Sequence, residues 1–99
     1  MNQANAPMKT PTNRFKQALH ARQQIGMFST LASNTLVELF AGCGFDWILL
    51  DTEHSPNDMG EVIAQAQAMA ASTVSAIVRP AWSDAVLVKR LLDAGAQTL

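Results

Sequence analysis

The residues with the most chemical potential are a short charged run, Asp51-Thr52-Glu53-His54, and a separate arginine, Arg79. Histidine titrates near neutral pH, so His54 is a candidate general base or acid. Asp51, three residues earlier, is close enough across a tight turn to hold one imidazole tautomer and stabilise the imidazolium. Arg79 carries a planar fork of donors that can grip a carboxylate or offset charge on an oxyanion or enolate. Each residue also has a plain structural reading: Asp51 capping a turn, His54 solvated in a loop, and Arg79 paired with Glu53. Metal ligation is the weaker use of the cluster. A hard divalent ion wants several converging carboxylates, and two carboxylates one residue apart at a strand end are expected to point in opposite directions.

The elements around these residues explain why they matter. Phe45 to Asp51 has a continuous apolar middle, Trp47-Ile48-Leu49-Leu50. That is the pattern of a parallel strand buried on both faces. Val74 to Val78 is a second, β-branched strand, closed by Arg79-Pro80 because proline cannot donate to the ladder. Ligands of parallel α/β sheets bind beyond the carboxyl ends of the strands, where Asp51, Glu53, His54 and Arg79 fall. The rest of the pattern alternates. A helix is expected over Asn13 to Gln23, with Asn13 as N-cap and Phe15, Ala18 and Leu19 on one side. A strand follows at Ile25 to Leu31. A helix over Asn34 to Cys43 has Thr35 and Glu38 at capping-box spacing, Leu36, Val37, Phe40 and Ala41 on its apolar face, and Gly42 and Gly44 as its stop. Asn57 or Asp58 caps a third helix with Met59, Val62, Ile63, Ala66, Met69 and Ala70 in register. Ser83 or Asp84 caps a fourth with Val86, Leu87, Arg90, Leu91 and Ala94, and Gly95 ends it. Gln97-Thr98-Leu99 reads as the opening of a fourth strand. The order, a helix and then β-α-β-α-β-α-β, predicts an α/β fold with a parallel sheet.

Composition narrows the function classes. The chain has 99 residues, 48% hydrophobic and only 15% charged, which suits surfaces covered by more of a fold or by partner subunits. A net charge of −1 gives no electrostatic footprint for nucleic acid. No apolar run has the length of a membrane span. The single cysteine, Cys43, excludes an intrachain disulfide and fits a reducing cytosol. Residues 1–12 are polar and read as a disordered lead-in to a domain over 13–99. No P-loop or G-x-G-x-x-G is present, so nucleotide binding has no support. His20 reads as a surface residue, Cys43 as a packing residue, Met59 and Met69 as core. Trp82 lines a site mouth or simply packs.

Gly44-Phe45-Asp46-Trp47-Ile48-Leu49-Leu50-Asp51-Thr52-Glu53-His54-Ser55-Pro56-Asn57 resembles the signature of the HpcH/HpaI aldolase and citrate lyase family, and within it the hydroxyketoacid aldolases. Ile25 to Phe28, Val78 to Asp84 and Leu91 to Leu99 support the resemblance. It implies the N-terminal part of a (β/α)8 TIM barrel, about three to four of its βα units, because 99 residues cannot close a barrel of about 250. Such an open piece is expected to expose sheet edges and to be poorly stable alone. It implies a cytoplasmic, metal-dependent (class II) aldolase that reversibly cleaves 4-hydroxy-2-oxoacids, such as 4-hydroxy-2-oxoheptanedioate, to pyruvate and an aldehyde. The family is usually hexameric. A divalent ion, Mg2+, Mn2+ or Co2+, chelates the pyruvate moiety, with ligands expected beyond residue 99 and none in this chain. By match to the family pattern, His54 is the base, Arg79 stabilises the enolate transition state, and Asp93 raises the basicity of the histidine. Asp51 supports from behind, and Phe28 stands where some relatives have tryptophan and touches the substrate. Two alternatives are a non-catalytic truncated chain and a CoA-ester lyase of citramalyl- or malyl-CoA type.

Overall fold

The computed structural model describes residues 7–99. Of the expected lead-in, residues 1–6 lie outside the described residues, and 7–12 are exposed without regular structure. The elements are α1 (Arg14–Ala18), β1 (Gly26–Ser29), α2 (Asn34–Ala41), β2 (Trp47–Asp51), α3 (Met59–Met69), β3 (Ser75–Arg79) and α4 (Ala85–Asp93). The strands form one parallel sheet in the order β1-β2-β3, with Met27 opposite Ile48 and Asp51 opposite Arg79. This is an open α/β arrangement of (β/α)8-barrel type.

One face of the sheet is packed and the other is open. Ile48 and Leu50 are fully buried and Val78 nearly so, against Val37 of α2, Val62 and Met69 of α3 and Leu91 of α4. The alternate residues turn the other way. Phe28 is 48% exposed and meets Trp47 edge-on, ring centroids 6.2 Å apart. β2 therefore reads as continuously apolar although its two faces have different partners.

Several boundaries differ from the sequence expectation. α1 is a short helix with no buried residue, and Leu19 is exposed. Asn13 does cap it, accepting from Lys16 N, and its amide also donates to Gln97 O and Thr98 Oγ1. α2 starts at Asn34 on Ser33, whose hydroxyl accepts from Leu36 N, so Thr35 lies inside the helix and the Thr35–Glu38 capping box does not form. A capping box occurs instead at Asp58 and Glu61, opening α3. Asp84 caps α4. Gly42 has an ordinary φ, whereas Gly44 and Gly95 adopt the left-handed conformation that glycine tolerates. On α4 the expected apolar face is rotated: Val86 is 64% exposed, and Leu87 and Leu91 face the core. Residues 97–99 form no strand, but Val78 N donates to Thr98 O at 3.0 Å, a first rung beyond β3.

Candidate functional site

The carboxyl ends of β2 and β3 bring the charged residues together. Asp51 is the last residue of β2 and lies opposite Arg79, the last of β3. Arg79 Nε donates to Asp51 Oδ1 at 2.9 Å and Nη2 donates to Oδ2 at 2.8 Å, a two-point fork. Asp51 Oδ1 also accepts the main-chain N–H of Glu53 (2.9 Å) and of His54 (3.3 Å). The Arg79 guanidinium, helped by these two N–H groups and acting against burial, holds the Asp51 carboxyl well below the usual carboxylate range. The same fork raises the pKa of Arg79. The Asp51 side chain is 2% exposed and that of Arg79 is 35% exposed, so the arginine is anchored along one edge and partly open to solvent.

Glu53 and His54 lie in the loop beyond β2. His54 Nε2 is 2.9 Å from Glu53 Oε1, which is also 3.7 Å from Arg79 Nη1. Two expectations need correction here. The carboxylate beside the imidazole is Glu53, because both oxygens of Asp51 are committed to Arg79. Nor do the two carboxylates diverge: strand alternation ends at Asp51, and the turn brings Glu53 to the same guanidinium. Arg79 also lies over the Phe28 ring, 5.3 Å from its centroid, which places Phe28 at the edge of this cluster. Trp82 is exposed and lines a shallow depression with Glu53, Pro80 and Leu99.

Asp93 is not brought to His54 within this chain. It is the exposed last residue of α4, which runs back from the carboxyl end of β3. Its neighbours, Ala94 to Thr98, line a cavity with Val74, Ser75 and Ala76 at the amino end of that strand. Nine helical residues at about 1.5 Å each account for the separation. A divalent cation does not fit the side chains of this cluster on their own. Among the described residues no three His, Cys, Asp or Glu side chains converge, and both Asp51 oxygens accept from Arg79.

Sequence reasoning missed the residues underneath. Ser29, Asn57 and Gln65 are buried polar side chains bonded to one another behind the loop. The available signal was Gln65, a polar residue three positions after Val62 on the otherwise apolar stripe of α3.

A parallel βα sheet with an arginine, carboxylates and a histidine beyond its strand ends has the arrangement of barrel-type folds, in which ligand sites lie at that face. Residues 24–99 match the family model described as HpcH/HpaI aldolase/citrate lyase. The chain belongs to that family. It is 57% identical over 93 residues to a hydroxypyruvate/pyruvate aldolase of Sagittula stellata, covering 93% of this chain and 37% of the relative. It is 52% identical over 88 residues to a 4-hydroxy-2-oxo-heptane-1,7-dioate aldolase of Salmonella dublin, covering 88% of this chain and 34% of the relative. Among solved structures, an HpcH/HpaI aldolase/citrate lyase family protein from Burkholderia cenocepacia superposes with a TM-score of 0.80 at 39% identity, over 86% of this chain and 35% of the other. The chain thus spans a little over a third of the length of these relatives.

Proposed function

We propose that the protein carrying this chain is a carbon–carbon lyase that reversibly cleaves 4-hydroxy-2-oxoacids to pyruvate and an aldehyde. The observation that carries this reading is the Asp51–Arg79 fork, with Arg79 Nη1 turned toward Glu53 and the exposed His54 at the strand ends. Family membership and the aldolase names of the relatives support it.

The chemistry asks for two charge-handling groups. In the cleavage direction His54, directly or through water, takes the proton of the 4-hydroxyl. The C3–C4 bond breaks, C4 leaves as the aldehyde, and the electron pair forms the enolate of pyruvate. Arg79 offsets the negative charge that builds on the enolate oxygen. Asp51 keeps the guanidinium in place without exposing a second negative charge to the substrate. Protonation at C3 then gives pyruvate. A divalent cation, when bound, would add Lewis-acid stabilisation of the 2-oxo group. Asp93 keeps its proposed influence on His54 basicity through a route other than direct contact in this chain. A homo-oligomer is part of the same reading.

The test is pyruvate release from 4-hydroxy-2-oxoacids by the intact protein, coupled to lactate dehydrogenase and run with and without EDTA. Because one relative is named for hydroxypyruvate, the synthetic direction is run with both pyruvate and hydroxypyruvate as donors. Loss of roughly 10²-fold or more in rate for His54→Ala is expected. Full activity in that variant overturns the proposed role of His54, and full activity in EDTA removes the cation.

A further inference from the structure

The loop that carries Glu53 and His54 is held from beneath by buried amides. Asn57 Nδ2 donates to the main-chain carbonyls of Ser29 (3.0 Å) and Asp51 (2.8 Å), the last residues of β1 and β2. Asn57 Oδ1 accepts from Gln65 Nε2 at 2.7 Å, and Gln65 Oε1 accepts from Ser29 Oγ at 2.8 Å. Gln65 Nε2 also donates to Glu61 O at 3.1 Å. Ser55 Oγ donates to Asp51 O and accepts from Asn57 N. Gln65 is 0% exposed and Asn57 5%, and no buried side-chain nitrogen or oxygen among the described residues lacks a partner.

This arrangement does more than fill space. Burying two carboxamides is costly unless their bonds are made, and here they are made to the strand ends that bear the site. The His54 side chain is 72% exposed, and its ring is paired with Glu53. The backbone of residues 52–57 sets its position. One side of that loop is tied to Asp51 Oδ1 through the Glu53 and His54 N–H groups, and the far end is tied to β1 and β2 by Asn57. We infer that Asn57, seated on Gln65, is a positioning residue that sets where His54 stands relative to Arg79. The inference rests on the aldolase reading for its catalytic consequence, and on the geometry alone for the anchoring.

The experiment uses the intact protein with Asn57→Ala, and with Gln65→Met, which keeps the bulk of the side chain on α3. Amide hydrogen exchange at Glu53 and His54 is expected to accelerate about tenfold or more in both variants, with β2 and β3 unchanged. The rate constant kcat is expected to fall on the order of 10²-fold with KM little altered. In a His54→Ala background the same substitutions are expected to cost nothing further. Unchanged exchange at Glu53 and His54 overturns the anchoring, and an equal kcat loss in both backgrounds overturns action through His54. If His54→Ala alone leaves kcat intact, the proposed role of His54 fails, and if the intact protein releases no pyruvate from 4-hydroxy-2-oxoacids, the aldolase reading fails; in either case the exchange data still decide the anchoring. If Asn57→Ala does not fold, Gln65→Met carries the same measurements.

Discussion

At the scale of single residues, the Asp51–Arg79 pair decides what the others can do. Arg79 cannot be replaced by lysine without losing the fork, since a point charge cannot meet both Asp51 oxygens and still present an edge to substrate. Arg79→Lys is therefore expected to lower kcat/KM by about 10²-fold, read in the pyruvate-release assay, with the fold retained by circular dichroism. The pair also leaves a signature in pH. The folded pKa of Asp51 lies below its ordinary value of about 3.9. Its ionised form therefore stabilises the fold at any pH above about 4, and that contribution is lost as pH falls from there through the lower folded value. The urea midpoint is expected to be flat between about pH 6 and 8 and to drop below about pH 4, with a shallower drop in Asp51→Asn. The strand-end charges were readable in the sequence because charge directly after an apolar strand is conspicuous. Asn57 was not: an asparagine before a helix reads as a cap, and only the folded chain shows Asp58 taking that role while Asn57 turns inward.

At the scale of elements, a few contacts set the geometry of the strand ends. Gly26 opens β1 opposite Trp47, and a Cβ there would land on both the indole ring and the carbonyl of Trp47. The carbonyl cannot move without breaking the ladder. Gly26→Ala is expected to cost about 3 kcal/mol, the upper range for overpacking, measured by urea denaturation. Asp58 and Glu61 satisfy the first N–H groups of α3 reciprocally, and α3 supplies Gln65. Asp58→Ala is expected to lower stability by about 1 kcal/mol. At the amino ends of the strands, Asp46 joins its neighbours by accepting from Ile25 N and Arg22, and its main-chain carbonyl accepts from Ser75 N. The apolar periodicities of α2 and α3 were clear from sequence. The start of α2 was not, since Ser33 and Thr35 both have capping side chains and only the backbone turn at Ser33 selects one.

At the scale of the whole chain, the sheet has a helix-covered face and an open one. Leu50 is fully buried against the helices, whereas Leu49, its neighbour on the other face, is only partly covered. Leu50→Ala is expected to cost about 2–5 kcal/mol, and Leu49→Ala clearly less in the 99-residue chain, both read from urea midpoints. An equal cost would mean that the open face is packed in solution. The open face carries Phe28 and Trp47, and Arg79 leans over Phe28 at its carboxyl end, so the apolar face and the charged cluster are continuous.

The sequence by itself determined the βα alternation, the parallel sheet, the family and the residues at the strand ends, because apolar period and strand-terminal charge are local properties of the chain. Tertiary structure alone decided which groups touch. It gave Asp51 to Arg79 instead of to the His54 imidazole, brought Glu53 to that imidazole, and set Asp93 at the far end of α4. It also turned Asn57 and Gln65 into the support under the loop. The physical reason is that a side chain takes the nearest partner that satisfies it once buried, and nearness between β1, β2, β3 and α3 arises only when the sheet and helix have packed.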